Sequence, residues 1–155
     1  EFASLMRQTL DNSAKQTISI EDEIAYLEKY VSIENMRFNN TIKYDIKVDE
    51  KIDSTFTEIP TMLVQPFVEN IFVHAFTENS IQPYFSIDFC LVTDNEINII
   101  IKDNGTNKKT TQKNHQSRGI KIAKERIKLL QDKNTSPIEV QFSEIGTTVL
   151  LRWFI

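Results

Sequence analysis

The chain has 155 residues, of which 40% are hydrophobic and 26% charged, and this is enough for one globular domain with a substantial core. Its formal net charge of -4, with Lys and Arg scattered along the sequence, argues against duplex nucleic acid as a partner. The single cysteine, Cys90, excludes an internal disulfide framework, and we find neither an apolar run that could span a bilayer nor a signal-peptide pattern. We therefore expect a soluble segment. Because it begins inside a predicted helix, we also expect it to be part of a longer protein.

The N-terminal part is predicted to be helical. Apolar residues recur at helical spacing over residues 2–14, and Ser19-Ile20-Glu21-Asp22 has the capping-box pattern that starts a helix, with acids at its positive end. This second helix is predicted to run to about residue 38, where Asn39-Asn40 indicates a turn. Residues 42–48 then alternate apolar and polar side chains, which predicts a strand covered on one face.

Residues 59–75 are predicted to form a helix entered at Pro60, because their apolar side chains recur three and four positions apart. Glu69, Asn70 and His74 interrupt this pattern. Carboxylate and amide groups inside an apolar helix cost free energy unless something pairs with them. The Glu-Asn pair therefore indicates a ligand, a metal or a hydrogen-bonded network, and the alternative is a helix with a polar edge.

The C-terminal half is predicted to be rich in strands. Thr93-Asp94-Asn95 supplies the turn of a hairpin, and residues 106–116, which contain no aliphatic side chain, predict a mobile loop. One helix is predicted at about 119–131, and strands are predicted at 84–92, 97–102, 138–142 and 149–153. Helices and strands without a regular alternation favour an α+β fold, a two-layer sandwich of a mixed, mostly antiparallel sheet with helices on one face.

Two glycine-bearing segments carry the other candidate binding residues. The strand that ends in Asp103-Asn104-Gly105 presents a carboxylate where a ligand can approach the backbone closely, which is typical of base recognition. The alternative for Asp103 is a turn residue before Asn-Gly. Gly119 lies at the start of a predicted helix, where free backbone N–H groups and the helix dipole attract phosphate.

The order of these segments resembles the ATP-binding domain of LytS-like sensor histidine kinases, which belong to the GHKL-type ATPase superfamily with gyrase and MutL. Gln65-Pro66-Phe67-Val68-Glu69-Asn70 followed by His74 is similar to the family's Asn-containing motif. Upstream, Tyr26-Leu27-Glu28-Lys29-Tyr30 and Met36-Arg37-Phe38 are also similar, so that the resemblance spans nearly the whole chain.

The resemblance implies two domains. Residues 39–155 would be the ATP-binding catalytic domain with the Bergerat-type fold. Residues 1–38 would be the C-terminal part of the helical region that dimerises and carries the phosphorylated His. The family's phospho-acceptor motif is missing here, because neither His74 nor His115 has its sequence context. We therefore expect the phosphorylated His to lie outside this sequence.

The resemblance also implies ATP and Mg²⁺ as cofactors and a role for each site residue. Asn70 would give its carboxamide oxygen to Mg²⁺, a hard cation that prefers oxygen ligands. Glu69 would orient the attacking group or accept a proton from it. Asp103 would accept a hydrogen bond from the exocyclic amine of adenine. The further nucleotide-binding residues would be His74, Gly105, Gly119 and Thr147.

Structural alternatives remain for these residues. Asn70 could be a buried cap of a neighbouring loop, Glu69 could form a salt bridge on the helix surface, and His74 could simply pack. Many strands begin with a Gly-Thr pair like the one at Thr147. Arg126 matches the family's helix, and its alternative is a solvated charged face.

Several departures from the family pattern concern glycine. Ala75 replaces the Gly that usually follows His74, Thr106-Asn107 replaces a small residue and glycine, and Ser117-Arg118-Gly119-Ile120 keeps one glycine of a pair. Two hypotheses follow. The first is a kinase that phosphorylates a His outside this sequence and passes the phosphoryl group to a response regulator. The second is a nucleotide-weak or nucleotide-blind relative that acts as a dimerisation and signalling module. We favour the kinase on the strength of the Asn motif.

Partners and location follow from the resemblance alone. The expected partners are a response regulator and a second copy of the chain, with the homodimer formed through helices mostly upstream of Glu1. No nucleic-acid partner is expected. A membrane would be reached only through a missing N-terminal part, with this segment as the cytoplasmic domain of a membrane protein.

Overall fold

The computed structural model describes residues 15–105, 118–130 and 138–155, with the side chains of Arg118 and Gly119 left aside. The helix predicted at 2–14 and the loop predicted at 106–116 lie outside these residues. The helices are α1 (Ile20–Met36), α2 (Gln65–Asn70), which continues as a π-helical turn (Ile71–Ala75), and α3 (Arg118–Leu130). The strands are β1 (Thr17–Ser19), β2 (Lys43–Val48), β3 (Glu58–Pro60), β4 (Tyr84–Thr93), β5 (Glu96–Asp103), β6 (Ile138–Ser143) and β7 (Gly146–Phe154).

Five of the strands form one mixed sheet in the order β2-β4-β5-β7-β6. β2 runs parallel to β4, and the other three neighbouring pairs are antiparallel. The predicted hairpin is present, with Thr93 opposite Glu96 across its turn. The predicted α+β class with a mixed, mostly antiparallel sheet is therefore confirmed.

One face of this sheet and the helices share a single core. Alternate residues of β4 and β5 are buried, as the period of two requires, and the apolar faces of α1, α2 and α3 join them. α1 contributes Leu27 and Val31, both 0% exposed, and α3 contributes Ala123 and Ile127. The helical layer thus covers one side of the sheet, as predicted. The predicted division at residues 38 and 39 stays a prediction.

The start and end of α1 agree with the sequence. Ser19 Oγ accepts a hydrogen bond from the backbone N–H of Asp22 at 3.1 Å, which is the predicted N-cap. After the helix, Asn39 and Asn40 adopt the left-handed region with φ of 54° and 58°. Asn35 then fastens the following strand, because its side chain both donates to and accepts from the backbone of Ile42.

The predicted helix entry at Pro60 is wrong. Pro60 is the last residue of β3, which pairs antiparallel with β1, and α2 begins only at Gln65. Met62, between the two elements, has φ of 57°, which no helix continues through. Pro66 instead occupies the first turn of α2, where the missing N–H is tolerated.

The pair β1–β3 was not predicted. Each strand has only three residues, too few to show an alternation. The pair is fastened to the large sheet, because the indole Nε1 of Trp153 in β7 donates to the carbonyl oxygen of Glu58 at 2.9 Å. No helix among the described residues combines the length and the apolarity needed to cross a membrane.

Candidate functional site

Glu69 and Asn70 end α2, and both side chains are half-buried. The chain continues at once into the π-helical turn, which ends at Ala75 and leaves the imidazole of His74 exposed. Such turns are rare and frequently lie at functional sites. The predicted motif therefore lies on a short helix with an irregular end, and His74 is not packed in the core.

The carboxylate of Glu69 is held by Gln65, one helical turn earlier. Gln65 is 7% exposed, and its Nε2 donates to Glu69 Oε1 at 2.6 Å. Because the partner is a buried amide, the arrangement found is not the surface salt bridge that was the alternative for Glu69. Gln65, the first residue of the Asn motif, thus orients Glu69, the fifth.

The N-terminus of α2 is capped from α1. Val64, the N-cap residue, has no side-chain oxygen to offer, and Glu23 supplies one instead by accepting hydrogen bonds from the backbone N–H groups of Val64 and Gln65. Glu23 is 1% exposed. Burial raises the pKa of its carboxyl group to about 7, although the two N–H donors act in the opposite direction.

Asp103 is the last residue of β5, directly opposite Thr147 of β7. Its Oδ1 accepts a hydrogen bond from the N–H of Gly105 at 2.9 Å, and Thr147 donates to the carboxylate through both its backbone and its side chain. Burial raises the pKa of Asp103 above its ordinary value, and the bonds from Gly105 and Thr147 oppose that shift. Thr147 is therefore a hydrogen-bond donor to Asp103. The sequence had predicted only that both residues contact the nucleotide.

The two predicted motifs meet where Gly105 packs against Ala75. A Cβ placed on Gly105 would lie 2.4 Å from the carbonyl oxygen of Ala75 and 2.6 Å from its Cβ, so only glycine fits. Gly146 is similarly constrained, since its φ is 137° and a Cβ there would lie 1.8 Å from the carbonyl oxygen of Asp103. The end of the Asn motif and the Asp103 strand end are thus parts of one region.

Gly119 lies in the first turn of α3, as its position after the loop predicted. Farther along α3, the guanidinium of Arg126 donates from Nη1 to the carbonyl oxygen of Thr61 at 2.8 Å and also to the hydroxyl of Thr61. Thr61 is fully buried, and its hydroxyl donates to the carbonyl oxygen of Lys15 at 2.9 Å. Arg126 therefore links α3 to the segment before α2, a contact that we call the brace. The alternative for Arg126, a position on a solvated charged face, is not what the structure shows.

Asp103 and Asn70 are the residues of this region that could hold an adenine nucleotide with Mg²⁺. The Asp103 carboxylate accepts from Gly105 and Thr147, and an exocyclic amine is a donor of the same kind. Asn70 supplies an amide oxygen of the kind that Mg²⁺ prefers. In the part of the chain that the structure describes, no three His, Cys, Asp or Glu residues gather into a metal cluster.

The known proteins to which this chain is similar are histidine kinases. The family model described as histidine kinase matches residues 1–42. The sensor histidine kinase/phosphatase LytS of Staphylococcus aureus (strain MRSA252) is 29% identical over 105 residues, which is 68% of this chain and 18% of that protein. The chain is a homologue of the LytS-type sensor histidine kinases. It spans less than a fifth of the length of these relatives, 18% in each of the first ones.

Solved structures show the same fold. The histidine kinase domain of the blue-light activated histidine kinase of Erythrobacter litoralis EL346 aligns with a TM-score of 0.61 at 19% identity, over 90% of this chain and 68% of that one. Histidine kinase ThkA, in complex with the response regulator protein TrrA, aligns with a TM-score of 0.57 at 12% identity, over 99% of this chain and 47% of that one. This LytS homologue therefore has the fold of histidine kinase catalytic domains.

Sequence reasoning missed four contacts in and around the candidate site of this LytS homologue. Gln65 had a signal, since it stands four residues before Glu69 on the same helix. Glu23 had none, because an acid in the first turn of a helix is normally an exposed partner of the dipole. The contacts made by Arg126 and Gly146 depend on residues far away in the sequence, which spacing along one element does not reveal.

Proposed function

We propose that this chain is the ATP-binding catalytic part of a two-component sensor histidine kinase. It transfers the γ-phosphoryl group of ATP to a His outside this sequence, and that group then passes to a response regulator. The homology to LytS, which is named a sensor histidine kinase/phosphatase, supports the kinase class. The fold shared with ThkA, which was solved with a response regulator, supports the second step.

The single observation that carries this proposal is the contact between Gly105 and Ala75. It joins the helix that bears Asn70 to the strand that bears Asp103, and these two residues suit opposite ends of a nucleotide. Adenine would donate its amine to Asp103, and the phosphates with their metal would lie toward Asn70. Mg²⁺, when bound, would neutralise the charge of the phosphates.

The remaining residues orient the ligand and the nucleophile. Thr147 and Gly105 hold the Asp103 carboxylate, which would present an acceptor to the base. Gln65 holds Glu69, which would accept or orient the proton of the attacking group. His74 is exposed and would reach phosphate from the π-helical turn, while Gly119 would offer its N–H at the start of α3. Phosphoryl transfer needs mainly this positioning and neutralisation of charge.

The assembly belongs to the same proposal. Helices mostly upstream of Glu1 would form the homodimer and carry the phosphorylated His. A membrane would be reached through that upstream part, and this segment would face the cytoplasm. No nucleic acid is proposed as a partner, in line with the net charge of -4.

Isothermal titration with Mg-ATP and with adenosine tests the proposal. We expect Mg-ATP to bind with a dissociation constant below about 1 mM. Asp103→Asn replaces one acceptor oxygen by a donor and should weaken both ligands by about 10- to 100-fold. Asn70→Ala should weaken Mg-ATP by at least about tenfold and leave adenosine unchanged, because only the phosphate end carries the metal.

The matched controls lie in the turn at the opposite end of β5. Asp94→Asn and Asn95→Ala make the same chemical changes at exposed positions, and both should bind like the wild type. Absence of Mg-ATP binding to the wild type would refute the kinase and favour the dimerisation and signalling module. Unchanged affinity of Asp103→Asn or Asn70→Ala would remove that residue from its role.

A further inference from the structure

The strongest feature outside the proposed nucleotide contacts is the way in which α1 holds the helix of the Asn motif at both ends. At the N-terminus of α2, the carboxylate of Glu23 accepts from the backbone N–H groups of Val64 and Gln65. Beyond its C-terminus, the ring of Tyr30 packs edge-on against Phe72 in the π-helical turn, with centroids 5.9 Å apart. Two contacts seven residues apart on α1 therefore bracket the segment that carries Glu69 and Asn70.

The contact made by Glu23 is unusual for a carboxylate. The residue is 1% exposed, its Oε1 has no hydrogen-bond partner among the described residues, and its carboxyl group accepts from the N–H groups of Val64 and Gln65. A buried carboxyl group with one unpaired oxygen costs free energy. Packing alone therefore does not account for a carboxyl group at position 23.

That task follows from the short length of α2. A helix of six residues has few hydrogen bonds of its own, and its first N–H groups lack partners inside the helix. Val64 offers no side-chain cap. The side chain of Glu23 thus caps the start of α2, and Asn70 lies less than two helical turns farther on.

We propose that Glu23 is a positioning residue for the nucleotide site, which sets the place of Asn70 by capping α2 from α1. The inference rests on the proposed nucleotide function for its effect on binding. It concerns the phosphate end of the site, since Asp103 is held separately by Gly105 and Thr147. Removing the cap should therefore weaken binding of the phosphates with their metal and leave binding of the base unchanged.

Two substitutions of Glu23 separate the effect of side-chain length from the effect of charge. Glu23→Gln keeps the length of the side chain and an oxygen for the N–H groups, whereas Glu23→Asp keeps the charge and withdraws the oxygens by one methylene group. We expect Glu23→Asp to raise the dissociation constant of Mg-ATP by about tenfold and to leave that of adenosine unchanged. Glu23→Gln should stay within about threefold of the wild type for both ligands. Glu28→Asp, the same change at an exposed position of α1, is the matched control and should have no effect.

Amide hydrogen exchange decides the capping step without any nucleotide. In the wild type, the N–H groups of Val64 and Gln65 should exchange as slowly as those of the sheet core, although free N–H groups at a helix start exchange fast. Fast exchange there would overturn the proposal, even if Glu23→Asp failed to fold. Equal Mg-ATP affinities of Glu23→Asp and Glu28→Asp would also overturn it. If neither the wild type nor any variant bound nucleotide, the proposed function would fail. Slow exchange of the two N–H groups in the wild type that is lost in Glu23→Asp would still support the cap, because burial alone would be the same in both proteins.

Discussion

Asp103 and Asn104 are neighbours in the sequence with different tasks in the structure. Asn104 connects the end of β5 to the start of β4, since its Oδ1 accepts from the N–H of Tyr84 at 2.8 Å and its Nδ2 donates to the carbonyl oxygen of Gln82 at 3.0 Å. Asp103 is the last residue of β5, and its Oδ1 accepts from the N–H of Gly105 two positions on, which is the local turn contact expected of an Asp before Asn-Gly. Both side chains therefore fasten the end of β5, and Asp103 is in addition the proposed acceptor for the base.

The raised pKa of Asp103 predicts a pH dependence of base binding. The carboxylate is the better acceptor for the amine of adenine, and it is the form present above the pKa. Because burial raises this pKa, adenosine affinity should be full near neutral pH and fall on acidification at a higher pH than an ordinary aspartate would give. Titration of adenosine binding between about pH 4 and 8 measures this. Asp103→Asn gives the baseline, and identical pH profiles of the two proteins would contradict the prediction.

Among the elements, those with a regular pattern were predicted and those fixed by distant contacts were not. β2, β4 and β5 alternate over at least six residues, so their period was readable, and Ser19 marks the start of α1 by local chemistry. The start of α2 was misplaced because the apolar spacing continues through residues 61–64. There the left-handed Met62 and the brace from Arg126 impose a turn. The candidate site was predicted in its residue types, whereas the contacts that orient them were not.

Arg126 should stabilise the packing of α3 against this turn. Arg126→Ala removes a charged donor from the carbonyl oxygen of buried Thr61, and we expect a loss of about 1–2 kcal/mol in the free energy of unfolding, since Arg126 is partly exposed. Urea unfolding measures the change. Lys128→Ala, at an exposed position of the same helix, is the control and should change stability by less than about 0.5 kcal/mol. Equal unfolding midpoints of the two variants would show that the contact of Arg126 with Thr61 does not stabilise the fold.

For the whole molecule, the sequence resemblance divides the chain at residue 38, whereas the packing joins the two parts. Ile20, Leu27 and Val31 of α1 are each 0% exposed and belong to the core that the sheet and the other helices form. Helices of an upstream dimerising region need not end where the core of the catalytic domain begins. The predicted boundary at 38 and 39 can therefore be tested by the stability of the two fragments.

We expect a fragment of residues 39–155 to lack a stable fold. Its loss of α1 would expose the apolar surface that Leu27 and Val31 cover, and each such side chain contributes about 1.5–3 kcal/mol when fully buried, against a total stability of about 5–15 kcal/mol. Thermal unfolding followed by circular dichroism should show no cooperative transition for 39–155 and a clear one for 15–155. A cooperative transition of the shorter fragment would support the boundary at residue 38.

The short pair β1–β3 has a mechanical consequence. Thr17–Ser19 runs antiparallel to Glu58–Pro60, and the backbone of Gln16 accepts from the N–H of Thr61 at 3.1 Å. A force transmitted along the backbone from before Lys15 would therefore reach Pro60, five positions ahead of Gln65, and, through the bond from Trp153 to Glu58, strand β7. Conformational strain generated upstream would thus act directly beside α2, a helix of only six residues.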